Sequence, residues 1–272
     1  MKNLFDVKDR VCVVTGGLGQ LGSAFTNHLV SQGARVAVYS RRPVDAAKIE
    51  ELFPGAADRV RVLVASVTDK AALEAATDEI TADWGVPHVL INNAGIDSKP
   101  SGPPEQNGPF ETYPQEFWDE VIDVNLTGVM LTTQVVGSKM ADEERGSIIN
   151  VGSMYGMVSP NQALYAYREA KDGKPFFKAV AYAASKSGLV NLTRYVATYW
   201  APKNVRCNLI TFGGVKTASF DKEFIDAFLQ RVPLGRQAEI DEFMGIVQFL
   251  ASDASTYMTG ANNVIDGGFT AW

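Results

Sequence analysis

Short apolar runs alternate with segments of helical spacing along the whole chain. β-branched and aliphatic residues dominate seven runs that are short enough to be strands. These predicted strands are Arg10–Thr15, Arg35–Tyr39, Val60–Ala65, Val86–Asn92, Ser147–Val151, Val205–Ile210 and Asn262–Ile265. The predicted helices are Gln20–Gln32, Pro43–Leu52, Asp69–Trp84, Pro114–Met140, Ala181–Trp200 and Glu239–Ala251. Strands that are apolar on both faces and alternate with helices predict an α/β fold, a parallel sheet covered by helices on both sides.

Two segments break this alternation. Asp97–Pro114 contains five prolines, and Met157–Val180 is a mixed loop of polar, aromatic and basic residues. Loops of this length in compact domains are usually functional. No repeat, low-complexity tract or linker interrupts the chain, so we predict a single domain over residues 1–272.

Composition excludes several classes of function. The formal charge of −6 repels phosphate backbones, so we expect no nucleic-acid partner. No signal peptide or apolar span of membrane length is recognisable, and we expect a cytoplasmic protein without a membrane partner. Cys12 and Cys207 lie in predicted strands and are interpreted as core residues rather than a disulfide. With only His28 and His88, we predict no metal site and no Ser-His-Asp triad.

A glycine-rich turn follows the first predicted strand and opens the first helix. Glycines permit a tight turn, and the first N–H groups of a helix bind a pyrophosphate well. The turn therefore predicts a dinucleotide site, with a plain tight turn as the alternative. Its candidate residues are Gly16, Gly19, Gln20, Leu21 and Gly22.

The second predicted strand ends in Ser40, Arg41 and Arg42. An acidic residue at this place would bind the adenosine ribose hydroxyls and repel a 2′-phosphate. Arginine instead matches a phosphate with its fork of donors. The sequence therefore favours NADP(H), with NAD(H) as the other cofactor and a solvated arginine pair as the alternative interpretation.

Tyr182 and Lys186 stand four positions apart in a predicted helix, and this spacing places them on one face. A phenol has a pKa near 10 and is a weak base at neutral pH, whereas an adjacent ammonium stabilises its phenolate. The pair therefore suits acid–base work. Ser153 follows the fifth strand at the carboxyl edge of the predicted sheet, where ligands usually bind. An ordinary helix surface and a turn serine are the alternatives.

These motifs arrive in an order that resembles the short-chain dehydrogenase/reductase family. The resemblance runs from Lys8 to the C-terminus. It rests on the glycine turn, Asn92-Asn93-Ala94-Gly95, Asn125-Leu126-Thr127-Gly128, Ile148-Ile149-Asn150-Val151-Gly152-Ser153, Tyr182 with Lys186, Asn208 to Thr217, and Asp266-Gly267-Gly268. It implies a Rossmann-type, doubly wound sheet of about seven strands and an NAD(P)-dependent alcohol/carbonyl redox reaction.

The resemblance also implies roles for four catalytic residues. Tyr182 would be the general acid/base, and Lys186 would hold the nicotinamide ribose and lower the pKa of Tyr182. Ser153 would orient the substrate oxygen. Asn125 would position a water in a proton relay.

Further cofactor contacts follow from the same resemblance. Asn93, Ala94 and Gly95 would line the adenosine side. Gly213, Val215 and Thr217 would line the nicotinamide side, where Thr217 would meet the carboxamide or a neighbouring phosphate. Gln20 departs from the glycine usual in compact members, which makes the local phosphate geometry unusual.

Ser153 and Tyr182 are 29 positions apart, more than is usual in the family. The added residues fall in Met157–Val180, and we expect them beside the substrate, where aromatic faces suit a polyhydroxylated ligand and basic groups suit a carboxylate or phosphate on it. A solvated surface excursion is the alternative.

We interpret the protein as an oxidoreductase that moves hydride between a nicotinamide cofactor and a small secondary alcohol or ketone, a sugar, sugar acid or polyol. A catalytically silent nucleotide-binding regulator is one alternative. An epimerase or dehydratase with tightly held cofactor is another.

The aromatic residues at the C-terminal end of the sequence suggest an interface between subunits. Phe269 and Trp272 lie in the last four residues, and a terminus frays unless it is tied down. We expect a homo-oligomer, a dimer or tetramer, with Trp272 buried near a subunit contact. Packing of Trp272 on its own subunit is the alternative.

Overall fold

Seven parallel strands form one sheet in the computed structural model, which describes residues 3–98, 103–217 and 220–272. The strands are β1 (Val11–Thr15), β2 (Arg35–Ser40), β3 (Val60–Val64), β4 (Val89–Asn92), β5 (Gly146–Ser153), β6 (Val205–Phe212) and β7 (Asn262–Ile265). Their order across the sheet is β3-β2-β1-β4-β5-β6-β7. All seven predicted strands are confirmed.

Nine α-helices connect the strands in the described ranges. They are α1 (Gln20–Ser31), α2 (Ala46–Leu52), α3 (Lys70–Trp84), α4 (Gln115–Ile122), α5 (Gly128–Asp142), α6 (Tyr167–Asp172), α7 (Val180–Trp200), α8 (Lys222–Leu229) and α9 (Met244–Ala251). The predicted helix over 114–140 is divided into α4 and α5 by a π turn, Asp123–Thr127. None of these helices is long and apolar enough to cross a membrane.

Two helices, α6 and α8, were not predicted. They have six and eight residues, fewer than the window of about 11 residues in which helical periodicity can be recognised. Within the segment Met157–Val180, a short 3₁₀ turn (Gln162–Tyr165) and α6 are the regular secondary structure.

Both faces of the sheet are buried. Cys12 and Val14 of β1 pack into the core on one side, and Val11 and Val13 into the core on the other. This alternation explains why the strands are apolar without interruption. Cys12 and Cys207 are buried and unpaired, which confirms their interpretation as core residues.

The order of the strands creates a crevice at the carboxyl edge. The chain leaves β1 towards β2 and leaves β4 towards β5, so the connections after these two neighbours diverge. Ligands of doubly wound sheets bind at such a switch point. The fold thus brings the glycine turn after β1 next to Asn93-Ala94-Gly95 after β4.

The two aromatic residues of the C-terminal tail differ in their environment. Phe269 is buried and stacks on Phe228 at 5.3 Å between ring centroids. Trp272 is 80% exposed on the single chain, so the alternative that it packs on its own subunit is wrong. Its burial at a subunit contact stays a prediction.

A buried amide network links the middle of the sheet to the helices on one face. Asn92 Nδ2 on β4 donates to Asn150 Oδ1 on β5 at 2.8 Å and to Thr133 Oγ1 on α5 at 3.0 Å. Asn150 Nδ2 in turn donates to Thr193 Oγ1 on α7 at 2.9 Å. Loss of Asn150 would remove one of the two acceptors of Asn92 Nδ2 and the donor to Thr193 Oγ1.

We expect Asn150→Ala to lower the free energy of unfolding by about 1–3 kcal/mol, because it leaves buried polar groups unsatisfied. Asn191→Ala, on the exposed side of α7, is the matched control and should change it by no more than about 0.5 kcal/mol. Urea unfolding measures both. Equal effects of the two substitutions would show that the network contributes nothing to stability.

Candidate active site

A cleft of about 630 Å³ opens at the carboxyl edge of the sheet, and Ser153, Tyr182 and Lys186 line it. It shares Gln20 and Arg41 with an adjoining crevice of about 820 Å³ that runs along the glycine turn and the end of β2. Each of the two adjoining spaces has the volume usual for a ligand site.

The glycine turn forms the floor of the adjoining crevice. Gly16 has a φ of +63°, and a Cβ there would lie 2.9 Å from Ala94 Cα. A Cβ on Gly22 would lie 2.4 Å from Gly16 O, so Gly22 permits close packing of α1 on the turn and does not itself line the crevice. Gly19, Gln20 and Leu21 do line it. No side chain caps the start of α1, which leaves this helix end able to bind an anion.

Asn93 and Ala94 fix the turn from the neighbouring strand. Asn93 Nδ2 donates to Thr15 O and Gly16 O at 3.1 and 3.2 Å, and Ala94 N donates to Thr15 Oγ1 at 3.0 Å. Gly95 faces the cleft, where a Cβ would lie 3.6 Å from Lys186 Nζ. Asn93 therefore acts on the shape of the site mainly through the backbone of the turn.

The two arginines that follow β2 differ in their environment. Arg41 lines the cleft and the adjoining crevice. Arg42 is exposed like Arg41 but lines neither space. Its backbone N–H donates to Ser40 Oγ at 3.3 Å, and Ser40 Oγ donates to Arg42 O at 2.9 Å. The structure thus singles out Arg41 as the guanidinium available to a group bound along β2.

Ser153, Tyr182 and Lys186 meet at the end of β5. Ser153 is its last residue, while Tyr182 and Lys186 occupy the first two turns of α7. Lys186 Nζ donates to Val151 O at 2.8 Å and lies 5.9 Å from the ring centroid of Tyr182. Burial lowers the pKa of Lys186 to about 8, because the charged form loses its hydration.

The expected lowering of the Tyr182 pKa is wrong for the polypeptide alone. Burial raises the pKa of Tyr182 above its ordinary value, and the Asp97 carboxylate adds to this effect, while the Ser153 hydroxyl opposes it. Lys186 Nζ lies 5.9 Å from the centroid of the Tyr182 ring and donates its hydrogen bond to the Val151 carbonyl. Tyr182 is thereby kept in its protonated form, ready to donate.

Asn125 holds a loop rather than lining the cleft. Its side chain is fully buried in the π turn; Oδ1 accepts from Ile96 N at 2.8 Å, and Nδ2 donates to Ile96 O at 2.8 Å. Nδ2 also donates to Ser185 Oγ at 3.2 Å. The side-chain amide is fully engaged in positioning the backbone after β4, so a water-holding role stays a prediction that the side chain does not support.

The segment after β6 closes the opposite wall. Gly213, Val215 and Thr217 line the cleft, as predicted from the motif. A Cβ on Gly213 would lie 2.6 Å from Asp266 Cα, which explains a glycine at this position. Gln20 Nε2 donates to Lys216 O at 3.1 Å, so the residue that replaces the usual glycine bridges the two walls.

The segment Met157–Val180 is divided between the cleft and solvent: Leu164 and Tyr165 are buried, whereas residues 169–175 are exposed. Tyr155, Tyr165, Tyr167 and Phe176 line the cleft together with Phe224 of α8. The Tyr155 and Tyr165 hydroxyls are hydrogen-bonded at 3.2 Å. These aromatic side chains form one wall of the cleft.

Three of the four basic residues of this segment are paired with carboxylates, and the fourth, Lys174, is exposed. Arg168 pairs with Asp172 and Asp221, Lys171 pairs with Asp221, and Lys178 pairs with Asp97. The expected attraction of a substrate carboxylate or phosphate by these cations is therefore largely cancelled. Asp97 and Asp221 were missed from the sequence because no local pattern indicates pairing across more than fifty positions.

Sequence comparison identifies the family. The short chain dehydrogenase family model matches residues 10–173, and the model described as enoyl-(acyl carrier protein) reductase matches residues 167–270. The chain belongs to the short-chain dehydrogenase/reductase family. It is an NAD(P)-dependent oxidoreductase that acts on CH–OH groups.

Two relatives of this short-chain dehydrogenase/reductase are polyol enzymes by name. The D-threitol dehydrogenase of Mycolicibacterium smegmatis is 31% identical over 270 residues, covering 98% of this chain and 95% of that protein. The galactitol 2-dehydrogenase of Rhizobium johnstonii is 34% identical over 266 residues, covering 96% and 95%.

Solved structures of other members share the fold. A short chain dehydrogenase from Leptospira borgpetersenii with bound NAD⁺ has a TM-score of 0.84 at 30% identity, covering 99% of this chain and 96% of that chain. A gluconate 5-dehydrogenase from Burkholderia cenocepacia in complex with NADP and tartrate has a TM-score of 0.83 at 27% identity, covering 99% and 98%. Both structures contain a nicotinamide cofactor, and the uncapped helix end and glycine cradle of this short-chain dehydrogenase/reductase fit one.

The pKa of Lys186 gives a pH-dependent contribution to stability. Below pH 8 the amine is charged in the folded and the unfolded chain, and the penalty of burying the charge is fully present. Between pH 8 and the ordinary value of 10.5 the unfolded chain binds more protons. The free energy of unfolding should therefore rise in this window, by up to about 1.4 kcal/mol per pH unit.

Lys186→Met should lose this rise, whereas Lys174→Met, at an exposed lysine, should keep it. Denaturant unfolding of the three proteins between pH 7 and 10 measures the difference. Parallel curves for the wild type and Lys186→Met would show that Lys186 is not a buried amine of low pKa.

Proposed function

We propose that the enzyme moves hydride between NADP(H) and a secondary alcohol or ketone of a polyhydroxylated compound, a polyol or sugar, with NAD(H) as the less favoured cofactor. The observation that carries this proposal is the convergence of Ser153, Tyr182 and Lys186 in one cleft that continues to Arg41. Aromatic walls and neutralised cations support a neutral, hydroxyl-rich substrate.

The residues divide the chemistry among them. A bound nicotinamide supplies or accepts the hydride. Ser153 orients the substrate oxygen at the end of β5. The Tyr182 hydroxyl gives its proton to that oxygen during reduction and takes it back during oxidation. Lys186 has a pKa of about 8 and is therefore mostly charged at neutral pH. Its positive charge lies 5.9 Å from the centroid of the Tyr182 ring and favours the transient phenolate.

Cofactor choice depends on the end of β2. Ser40, Arg41 and Arg42 include no carboxylate, and Arg41 faces the crevice. A guanidinium there binds a 2′-phosphate through charge-assisted hydrogen bonds, whereas NAD(H) offers it only hydroxyls. NADP(H) is therefore the cofactor that this site favours.

The substrate class is tested with a panel of polyols, sugars, sugar acids, hydroxyketones and simple ketones, each with NADPH or NADP⁺ and NADH or NAD⁺. Absorbance of the reduced nicotinamide measures turnover. We expect the highest kcat/KM for a neutral hydroxylated compound with the phosphorylated cofactor. A preference for apolar ketones, for acids or for NADH would contradict the corresponding part of the proposal.

We expect Tyr182→Phe to lower kcat by roughly 10²–10⁴-fold, since the proton donor and acceptor is removed. The dissociation constant of NADPH should stay within about twofold. Tyr195→Phe is the matched control, because Tyr195 is an exposed residue of the same helix, and it should leave turnover unchanged. Near-normal turnover of Tyr182→Phe would remove this residue from the mechanism.

Arg41→Ala should weaken NADPH binding by about 1.5–3 kcal/mol, the contribution of a hydrogen bond to a charged group. NADH binding should change much less. Arg42→Ala serves as the neighbour that does not line the cleft and should affect neither cofactor. Titration of each variant with both reduced nucleotides by fluorescence gives the constants, and an equal loss of both cofactors in Arg41→Ala would make this arginine merely structural.

A further inference from the structure

An ion pair lies in the part of the cleft that contains Ser153 and Tyr182. The Lys178 ammonium contacts the Asp97 carboxylate, and both residues line the cleft together with Ser153 and Tyr182. Asp97 follows the turn after β4, while Lys178 lies at the end of the segment Met157–Val180. The pair therefore joins the two loops that enclose the reacting groups.

Both partners are held in place through their backbones by side-chain amides. Asn125 accepts from Ile96 N and donates to Ile96 O, each at 2.8 Å, and so fixes the residue before Asp97. Gln162 Oε1 accepts from Lys178 N at 2.8 Å, and Gln162 Nε2 donates to Lys178 O at 3.5 Å. An ion pair positioned from both sides offers a fixed donor and a fixed acceptor.

The pair lies directly beside Tyr182. Lys178 Nζ is 5.0 Å from the ring centroid of Tyr182, closer than Lys186 Nζ at 5.9 Å. The Lys178 side chain is 11% exposed and that of Asp97 35% exposed. Because Asp97 is an exposed residue and solvent screens its charge, the pair adds little to stability, so the fold gains little by placing it at the reacting tyrosine.

We propose that Asp97 and Lys178 form a hydroxyl-binding subsite, which recognises the hydroxyl on the carbon next to the carbinol that reacts at Tyr182. This inference rests on the proposed function and narrows its substrate to compounds with neighbouring hydroxyls. Lys178 donates to the substrate hydroxyl and Asp97 accepts from it.

The chemistry of the pair selects a neutral diol over an acid. An ammonium has three donors and a carboxylate about four acceptor sites, so their mutual contact leaves capacity on both. A hydroxyl group is both donor and acceptor and matches the two at once. A substrate carboxylate would meet Lys178 but be repelled by Asp97, and Arg168 and Lys171 are already paired with Asp221.

The experiment compares ketones that differ by one neighbouring hydroxyl. Acetoin and 2-butanone form one pair, and hydroxyacetone and acetone another. We expect the wild type to reduce each hydroxyketone with a kcat/KM at least about tenfold above that of its plain partner, because the plain ketone makes no hydrogen bond to Lys178 or Asp97.

Lys178→Met should lower this ratio at least about tenfold, mainly through a higher KM for the hydroxyketone. Asp97→Asn should lower it in the same direction. Lys174→Met, at an exposed lysine of the same segment, is the matched control and should leave the ratio unchanged. Gln162→Ala, which removes no group that lines the cleft, should give an intermediate loss.

A wild type that reduces no hydroxyketone better than its plain partner overturns the subsite, as does an unchanged ratio in Lys178→Met. If the plain ketones are reduced and Tyr182→Phe abolishes that turnover, the proposed reaction stands without the subsite. Turnover that survives in Tyr182→Phe would instead overturn the proposed reaction. NADPH titration and thermal unfolding confirm that each variant is folded and binds cofactor.

Discussion

The close approach of two backbones at the ends of β1 and β4 is the constraint on which the site depends. Gly16 and Ala94 are so near that a Cβ on Gly16 would lie 2.9 Å from Ala94 Cα. The Asn93 amide and the Thr15 hydroxyl fasten this contact. Since α1 begins immediately after the turn, the same contact directs the start of the helix into the crevice. A side chain at Gly16 or Gly22 would separate these elements and change the place where a pyrophosphate can lie.

The charged groups around Tyr182 are the second feature on which the site depends. Two lysines approach Tyr182 from different elements, and each is matched with a different partner. Lys186 donates to the Val151 carbonyl and has a pKa lowered to about 8. Lys178 is neutralised by Asp97. The first has its charge buried next to Tyr182, whereas the second shares its charge with a carboxylate at the edge of the cleft.

The aromatic side chains and the ion pairs of the segment Met157–Val180 attach it to the side of the cleft that Phe224 lines. Tyr165 and Phe176 pack against each other with ring centroids 5.1 Å apart, and Tyr165 stacks on Phe224 at 5.3 Å. Arg168 joins the same segment to Asp221 at the start of α8. The added residues are thus anchored on the wall formed after β6 and leave Ser153, Tyr182 and Lys186 in their places.

The sequence by itself determined the seven strands and the placing of Ser153, Tyr182 and Lys186 near their carboxyl ends, because period, turn glycines and local spacing depend on neighbours along the chain. It did not determine which of Arg41 and Arg42 faces the cleft, the raised pKa of Tyr182, or the pairing of Lys178 with Asp97. Those features depend on burial and on contacts between residues as many as eighty-one positions apart. Only the tertiary structure decides them, since desolvation and charge pairing arise when distant segments pack together.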